Sequence, residues 1–157
     1  MDEWIIWKYE RVRLQLGYEI EATVSGTSMV PTVAHGDVVV IRAKENYSIG
    51  DILMFGYNQN TEILLHRLVK KEEDRLFCKG DNSYRLEEIR LDDVWGAATW
   101  KVCKSQRIPL ICPEGLPEAS FAINRLLICL DYNMDLLKKS KQFQEYRRIY
   151  LDGERRS

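Results

Sequence analysis

From Tyr18 to Lys104 the chain is cut into short runs rich in β-branched and aromatic residues, each closed by Gly, Asn or Asp. This punctuation limits the possible folds more than any other feature. Runs of that length and composition read as strands, at Tyr18 to Val24, Asp37 to Ala43, Asp51 to Gly56, Thr61 to Lys70, Arg75 to Lys79 and Val94 to Val102. Gly36-Asp37 and Gly50-Asp51 each open a strand after a turn. Such a density of strands predicts a mainly β fold, a coiled, barrel-like antiparallel sheet rather than alternating βαβ units.

The flanks have a different period. Ile5, Ile6, Tyr9, Val12 and Leu16 follow helical spacing up to Gly17, which predicts a short N-terminal amphipathic helix within residues 1–17. An amphipathic terminal helix usually buries its apolar face at home, so Trp4, Ile5, Ile6 and Trp7 are expected to cover one end of the sheet. A β domain over 18–104 is then followed by a linker over 105–117, in which Pro109, Pro113, Gly115 and Pro117 oppose regular structure. Residues 118–157 form a helical C-terminal extension, helical to about Tyr150, with an apolar stripe through Phe121, Ile123, Leu126, Leu127, Leu130, Met134, Leu137 and Phe143. Its end is locally basic at Lys138, Lys139, Lys141, Arg147, Arg148, Arg155 and Arg156. This reads first as a solvated helix face; peripheral docking of the terminal helices on an acidic membrane surface or a protein is the sharper alternative.

Composition narrows the function. With 23 Lys+Arg against 24 Asp+Glu, the formal net charge of -1 argues against nucleic acid as a partner, since that affinity rests on clustered positive charge. The four cysteines show no CxxC spacing and there are only two histidines, His35 and His66, so no zinc signature is present and no metal or cofactor is expected. At 157 residues the chain has room for a core without disulfides, and reduced, mostly buried thiols are expected. No segment approaches the roughly 20 consecutive apolar residues of a spanning helix, and the acidic N-terminus lacks a signal-peptide pattern. The chain is read as soluble and cytoplasmic, with peripheral contact to the inner face of the membrane as the variant of that reading.

Chemistry concentrates at three places. Ser28 sits in Ser25-Gly26-Thr27-Ser28-Met29-Val30-Pro31-Thr32, between two expected strands, where Gly26 and Pro31 permit a sharp, fixed bend. A serine hydroxyl becomes a nucleophile only when a base takes its proton, and the base needs a group to orient it. His66 is the one histidine on an expected strand, sharing a face with Leu64 and Leu68. The titration range of histidine as a residue type suits a general base. Asp81, in the turn Lys79-Gly80-Asp81-Asn82-Ser83, either orients His66 or bonds its own turn. Gly26, Thr27 and Ser28 form the turn whose backbone N–H groups, that of Ser28 foremost, are candidates for binding an oxyanion.

The pieces SGTSMVPT, GDVVVI, GDILMF, LLHRLV and KGDNS, followed by Asp93-Val94-Trp95-Gly96, resemble the superfamily of signal peptidases and self-cleaving repressor peptidases over roughly residues 18–103. The resemblance implies that Ser28, before the methionine, is the nucleophile. It implies that the position before Arg67 holds the base, a histidine here as in endoplasmic-reticulum-type and archaeal signal peptidases. It makes Asp81 the first choice of acid. That branch often has a further aspartate just after the Gly-Asp-Asn turn, where this chain has Glu87 and Glu88, so Glu87 is the alternative acid. Ser25-Gly26-Thr27-Ser28-Met29 is closer to the repressors' Gly-x-Ser-Met, which puts more of the oxyanion binding on backbone donors. The implied function is that of a serine endopeptidase acting on a peptide or protein, such as the leader of a small precursor. A catalytically inactive peptide-binding module of the same fold and a self-cleaving regulatory peptidase are the alternatives.

Overall fold

The computed structural model describes residues 2–156, and the side chains of residues 152–156, Arg155 and Arg156 among them, lie outside what it describes. Helix α1 (Glu3–Gln15) leads into β1 (Ile20–Thr23), β2 (Val38–Arg42), β3 (Ile52–Tyr57), β4 (Glu62–Glu72), β5 (Arg75–Lys79) and β6 (Leu86–Arg90). A single 3-10 turn (Leu91–Asp93) separates β6 from β7 (Val94–Cys103) and β8 (Gln106–Pro109). Helices α2 (Leu116–Cys129), α3 (Met134–Lys138) and α4 (Lys141–Arg156) complete the chain.

All eight strands join one antiparallel sheet in the order β1-β2-β7-β3-β4-β5-β6, with β8 on the second side of β7. The expected mainly β architecture is present, but the sheet is not closed into a barrel: β1 pairs only with β2, and β6 only with β5. Register shifts at Val40/Ile41, Met54/Phe55 and Leu68/Lys70 mark bulges, which bend strands and strengthen their twist. The two faces carry separate cores. Ile20, Met29, Val39, Ile41, Ile52, Met54 and Trp95 fill one, and Leu53, Phe55, Leu68, Leu76, Cys78 and Ile89 the other.

Several flanking expectations need correction. Gln106–Pro109 is strand, because its backbone pairs with the free side of Trp100–Cys103. Gly115, at φ 82°, ends the irregular stretch as the cap of α2, and Pro117 lies in the first turn, where its missing N–H costs nothing. The helical extension is three helices rather than one. Asp131 and Tyr132 adopt positive φ and Asn133 caps α3 through Leu136 N–H. The Ser140 hydroxyl then accepts from Phe143 N–H in the first turn of α4. These helices bury a third core of Leu116, Ile123, Leu127, Leu137, Phe143, Tyr146 and Ile149.

In α1 the anchors are Leu14, fully buried, and Trp7, set edge-on to Trp95 at 6.1 Å. Ile5 and Ile6 stay exposed, so they do not cover the sheet end. The four thiols are free, but Cys103 and Cys129 are exposed and only Cys78 is buried. Among the described residues no helix is long and apolar enough to cross a membrane.

Candidate active site

Ser28 and His66 meet although 38 residues separate them, with the serine Oγ 2.9 Å from the imidazole Nε2. Two pieces of local geometry bring them together. The Ser28 loop is closed by its own backbone, with Val30 N–H donating to Thr27 and Val33 N–H to Met29. Gly26, at φ 87°, makes the entry turn, and its N–H donates to Nδ1 of His35. That N–H is therefore occupied, leaving Thr27 and Ser28 as the remaining oxyanion candidates of the three. His66 is held by β4, opposite Leu53 of β3, and is 5% exposed with its ring 6.3 Å from that of Phe55.

Strand register decides which acid faces the histidine. Side chains alternate between faces along a strand. Leu68 of β4 pairs with Cys78 of β5, and Cys78 with Glu87 of β6. Glu87 therefore shares a face with Leu68 and with His66, two residues before it. Arg67 pairs with Lys79 and points to the other face. Accordingly Oε2 of Glu87 lies 3.1 Å from Nδ1 of His66, while Oε1 accepts from Arg85 Nε at 3.0 Å. The Nδ1 contact is ionic in distance but off the hydrogen-bonding direction, since neither atom has an aligned hydrogen-bond partner. Catalytic hydrogen bonds often align only once substrate is bound.

Asp81, the first-choice acid, is elsewhere engaged. Its carboxylate accepts two hydrogen bonds from Arg67, Nε and the terminal nitrogen each at 2.8 Å, and a third from the Thr32 hydroxyl at 2.6 Å. Both of its oxygens are turned toward Arg67 and Thr32 rather than toward His66. Burial alone would raise its pKa, but the Arg67 charge and hydrogen bonds, Thr32 and Lys79 together hold it below the usual carboxylate range. Arg67 also donates to the Gly50 carbonyl at 2.7 Å, which ties the β2–β3 turn to the site.

Lys79 is the least expected member. It is fully buried, with Nζ donating to the Gly80 carbonyl at 3.0 Å and the Ser120 hydroxyl at 3.1 Å, over the ring of Tyr146 at 4.9 Å. Burial pushes its pKa down to about 8, against the opposing pull of Asp81 and Glu87. Arg67, Lys79 and Asp81 are all buried, and the bidentate Arg67–Asp81 pairing limits the penalty that either charge alone would carry.

Gly80 sets the closeness of the whole arrangement. A Cβ there would lie 2.6 Å from the Ser28 carbonyl oxygen and 3.1 Å from His66 Nε2. The turn it begins also donates to the nucleophile loop, from Asn82 N–H to the Ser28 carbonyl at 2.7 Å and from the Asn82 side chain to Thr27 at 3.1 Å.

Beside the pair lies a cavity of about 360 Å³ whose lining includes Ser28, His66, Trp4, Trp7, Met54 and Thr61. A pocket of that size, with walls both apolar and polar, suits a ligand side chain or short peptide. Sequence reasoning missed Thr32, Lys79 and Ser120. It held Glu87 only as an alternative, although Glu87 shares strand parity with the apolar Ile89 and Glu88 does not. Among the described residues no cluster of His, Cys, Asp and Glu has the form of a metal site.

Residues 17–102, more than half of the chain, match the family model described as Peptidase S24-like. The match spans Ser28, His66, Asp81 and Glu87, and leaves α1, β8 and the three C-terminal helices outside it. No curated protein matches the chain.

Proposed function

The chain belongs to the Peptidase S24-like family, and on that premise we propose that it is a serine endopeptidase working through Ser28, His66 and Glu87. The observation that carries this reading is the 2.9 Å contact of Ser28 Oγ with His66 Nε2, backed by a buried glutamate 3.1 Å from the other ring nitrogen. Ser28 Oγ attacks the scissile carbonyl as His66 Nε2 takes its proton, and the Ser28 N–H binds the developing oxyanion. The imidazolium then protonates the leaving amine. Water, deprotonated by the same nitrogen, hydrolyses the acyl-enzyme and restores Ser28. Glu87 stabilises the imidazolium and fixes the ring, the work of the third member in such triads. Asp81 is a positioning residue, acting through Arg67 and the turn.

With a histidine as its base, the proposed enzyme resembles the endoplasmic-reticulum-type and archaeal signal peptidases rather than the lysine-base enzymes. The substrate is an extended segment, the leader of a small precursor peptide, processed on the cytoplasmic side. Two unpaired backbone edges flank the cavity and suit such a chain: β1 on the side away from β2, and Glu62 to His66 of β4, which β5 does not reach. The off-axis Glu87 contact favours the competing reading, a binding module without catalysis. The Ser28–His66 contact beside an open cavity supports catalysis over it.

The test is mass spectrometry of a diverse peptide pool incubated with wild type and with Ser28→Ala. Cuts made only by wild type are expected, and their flanking residues give the cleavage preference. Identical products from the two proteins would refute the mechanism, and wild type that shortens only itself would establish the self-cleaving alternative.

A further inference from the structure

The C-terminal helices, which the family match does not include, reach directly into the two loops that make the site. The Tyr146 hydroxyl, on α4, donates to the Asp81 carbonyl, and the Tyr150 hydroxyl, one turn on, donates to the Val30 carbonyl. From α2, Ser120 holds Lys79 Nζ, which in turn holds the Gly80 carbonyl. Asn124 of α2 donates to the Tyr84 carbonyl at 2.7 Å, just past the same turn. The Asp81 carbonyl is therefore held by α4 directly, and the Gly80 carbonyl by Lys79 of β5, which α2 holds through Ser120.

The Tyr146 contact bears on the nucleophile through one peptide unit. The Asp81 carbonyl and the Asn82 N–H belong to the same planar amide. Tyr146 holds the carbonyl end, and the N–H end donates to the Ser28 carbonyl at 2.7 Å. Fixing one end of a rigid plane fixes the direction of the other. Tyr146 is 5% exposed, and burial pushes its phenol well up, so the hydroxyl remains a donor. Tyr150 secures the opposite flank of the Ser28 loop, two residues beyond the nucleophile, and its ring stacks on that of Tyr146 at 5.6 Å.

We infer that the α2–α4 extension is a working part of the active site, with Tyr146 and Tyr150 as positioning residues that hold the Gly80–Asn82 turn and the Ser28 loop in register for catalysis. The catalytic part of this inference rests on the peptidase reading above; the mechanical part does not. Both are tested on the full chain with Tyr146→Phe and Tyr150→Phe, which remove one hydroxyl each and keep the ring.

Amide hydrogen exchange reads the mechanics. Tyr146→Phe is expected to speed exchange at Asn82 by about tenfold or more, and Tyr150→Phe to do so at Val33, whose N–H closes the Ser28 loop. Amides of the paired β3 and β4 should stay within about twofold of wild type. Kinetics on a peptide cut only by wild type and not by Ser28→Ala reads catalysis: kcat falls by about tenfold with KM nearly unchanged, as for a lost alignment rather than lost binding. Unchanged exchange at Asn82 and Val33 overturns the inference, as does faster exchange with unchanged kcat. If wild type makes no Ser28-dependent cut, the peptidase reading fails and the positioning role for catalysis falls with it. Exchange at Asn82 still decides whether the helices hold the loops.

Discussion

At the scale of single residues, the proposed mechanism gives the buried carboxylates Asp81 and Glu87 different work, and substitution separates them. Glu87→Gln keeps shape and volume but removes the charge that steadies the imidazolium. It is expected to lower kcat by roughly hundredfold or more while leaving the fold intact. Asp81→Asn breaks a fully buried bidentate pair and strands the Arg67 charge, which costs about 3–5 kcal/mol of stability and shows first as a lower melting temperature. Measuring kcat and thermal unfolding on both variants checks the assignment; an Asp81→Asn protein as stable as wild type but inactive would return the acid role to Asp81. Sequence reasoning found the two carboxylates but ranked them in the other order. The turn motif is visible locally, whereas the face that a strand residue occupies depends on its register with two further strands.

At the scale of elements, α1 is more than a terminal appendage. Trp7 is wedged between the cavity and Trp95, and Arg11 lies over the Trp95 ring at 5.3 Å. With Trp4 it walls the groove that leads to Ser28. Trp7→Ala is expected to raise KM severalfold with a smaller change in kcat, because it removes apolar contact with the bound chain and leaves the reacting groups in place. Steady-state kinetics on the preferred peptide decides this, and a fall in kcat alone would move Trp7 from the groove to the chemistry. The N-terminal helix and the main strands were legible from periodicity. β6 and β8 were not, because Leu86-Glu87-Glu88-Ile89-Arg90 and Gln106-Arg107-Ile108-Pro109 carry little apolar pattern and become strands only where β5 and β7 offer an unpaired edge.

At the scale of the whole molecule, a fully buried ion pair, Arg67 with Asp81, makes stability depend on pH. Asp81 has a folded pKa below its unfolded value. The stability it contributes is therefore fully present above the ordinary carboxylate range and is lost as pH falls through the lowered folded value. Wild type is expected to lose melting temperature below about pH 4, with a shallower slope in Asp81→Asn, which has no such proton to take up. Thermal melts of the two proteins from pH 6 to pH 2 check the sign, and parallel slopes would show that Asp81 is not the group responsible.

The sequence by itself determined the β-rich middle, the exposed bend that carries Ser28, the placing of His66 on a strand, and the superfamily, because each is written in a few adjacent residues. Tertiary structure decided the partner of His66, the open rather than closed sheet, the burial of Lys79 and the grip of Tyr146 and Tyr150 on the catalytic loops. The reason is distance along the chain. Strand parity carries through three successive strands before it places Glu87, and the tyrosines lie 65 and 120 residues from the carbonyls they hold. Contacts of that span follow from how whole elements pack, and no local pattern of side chains encodes them.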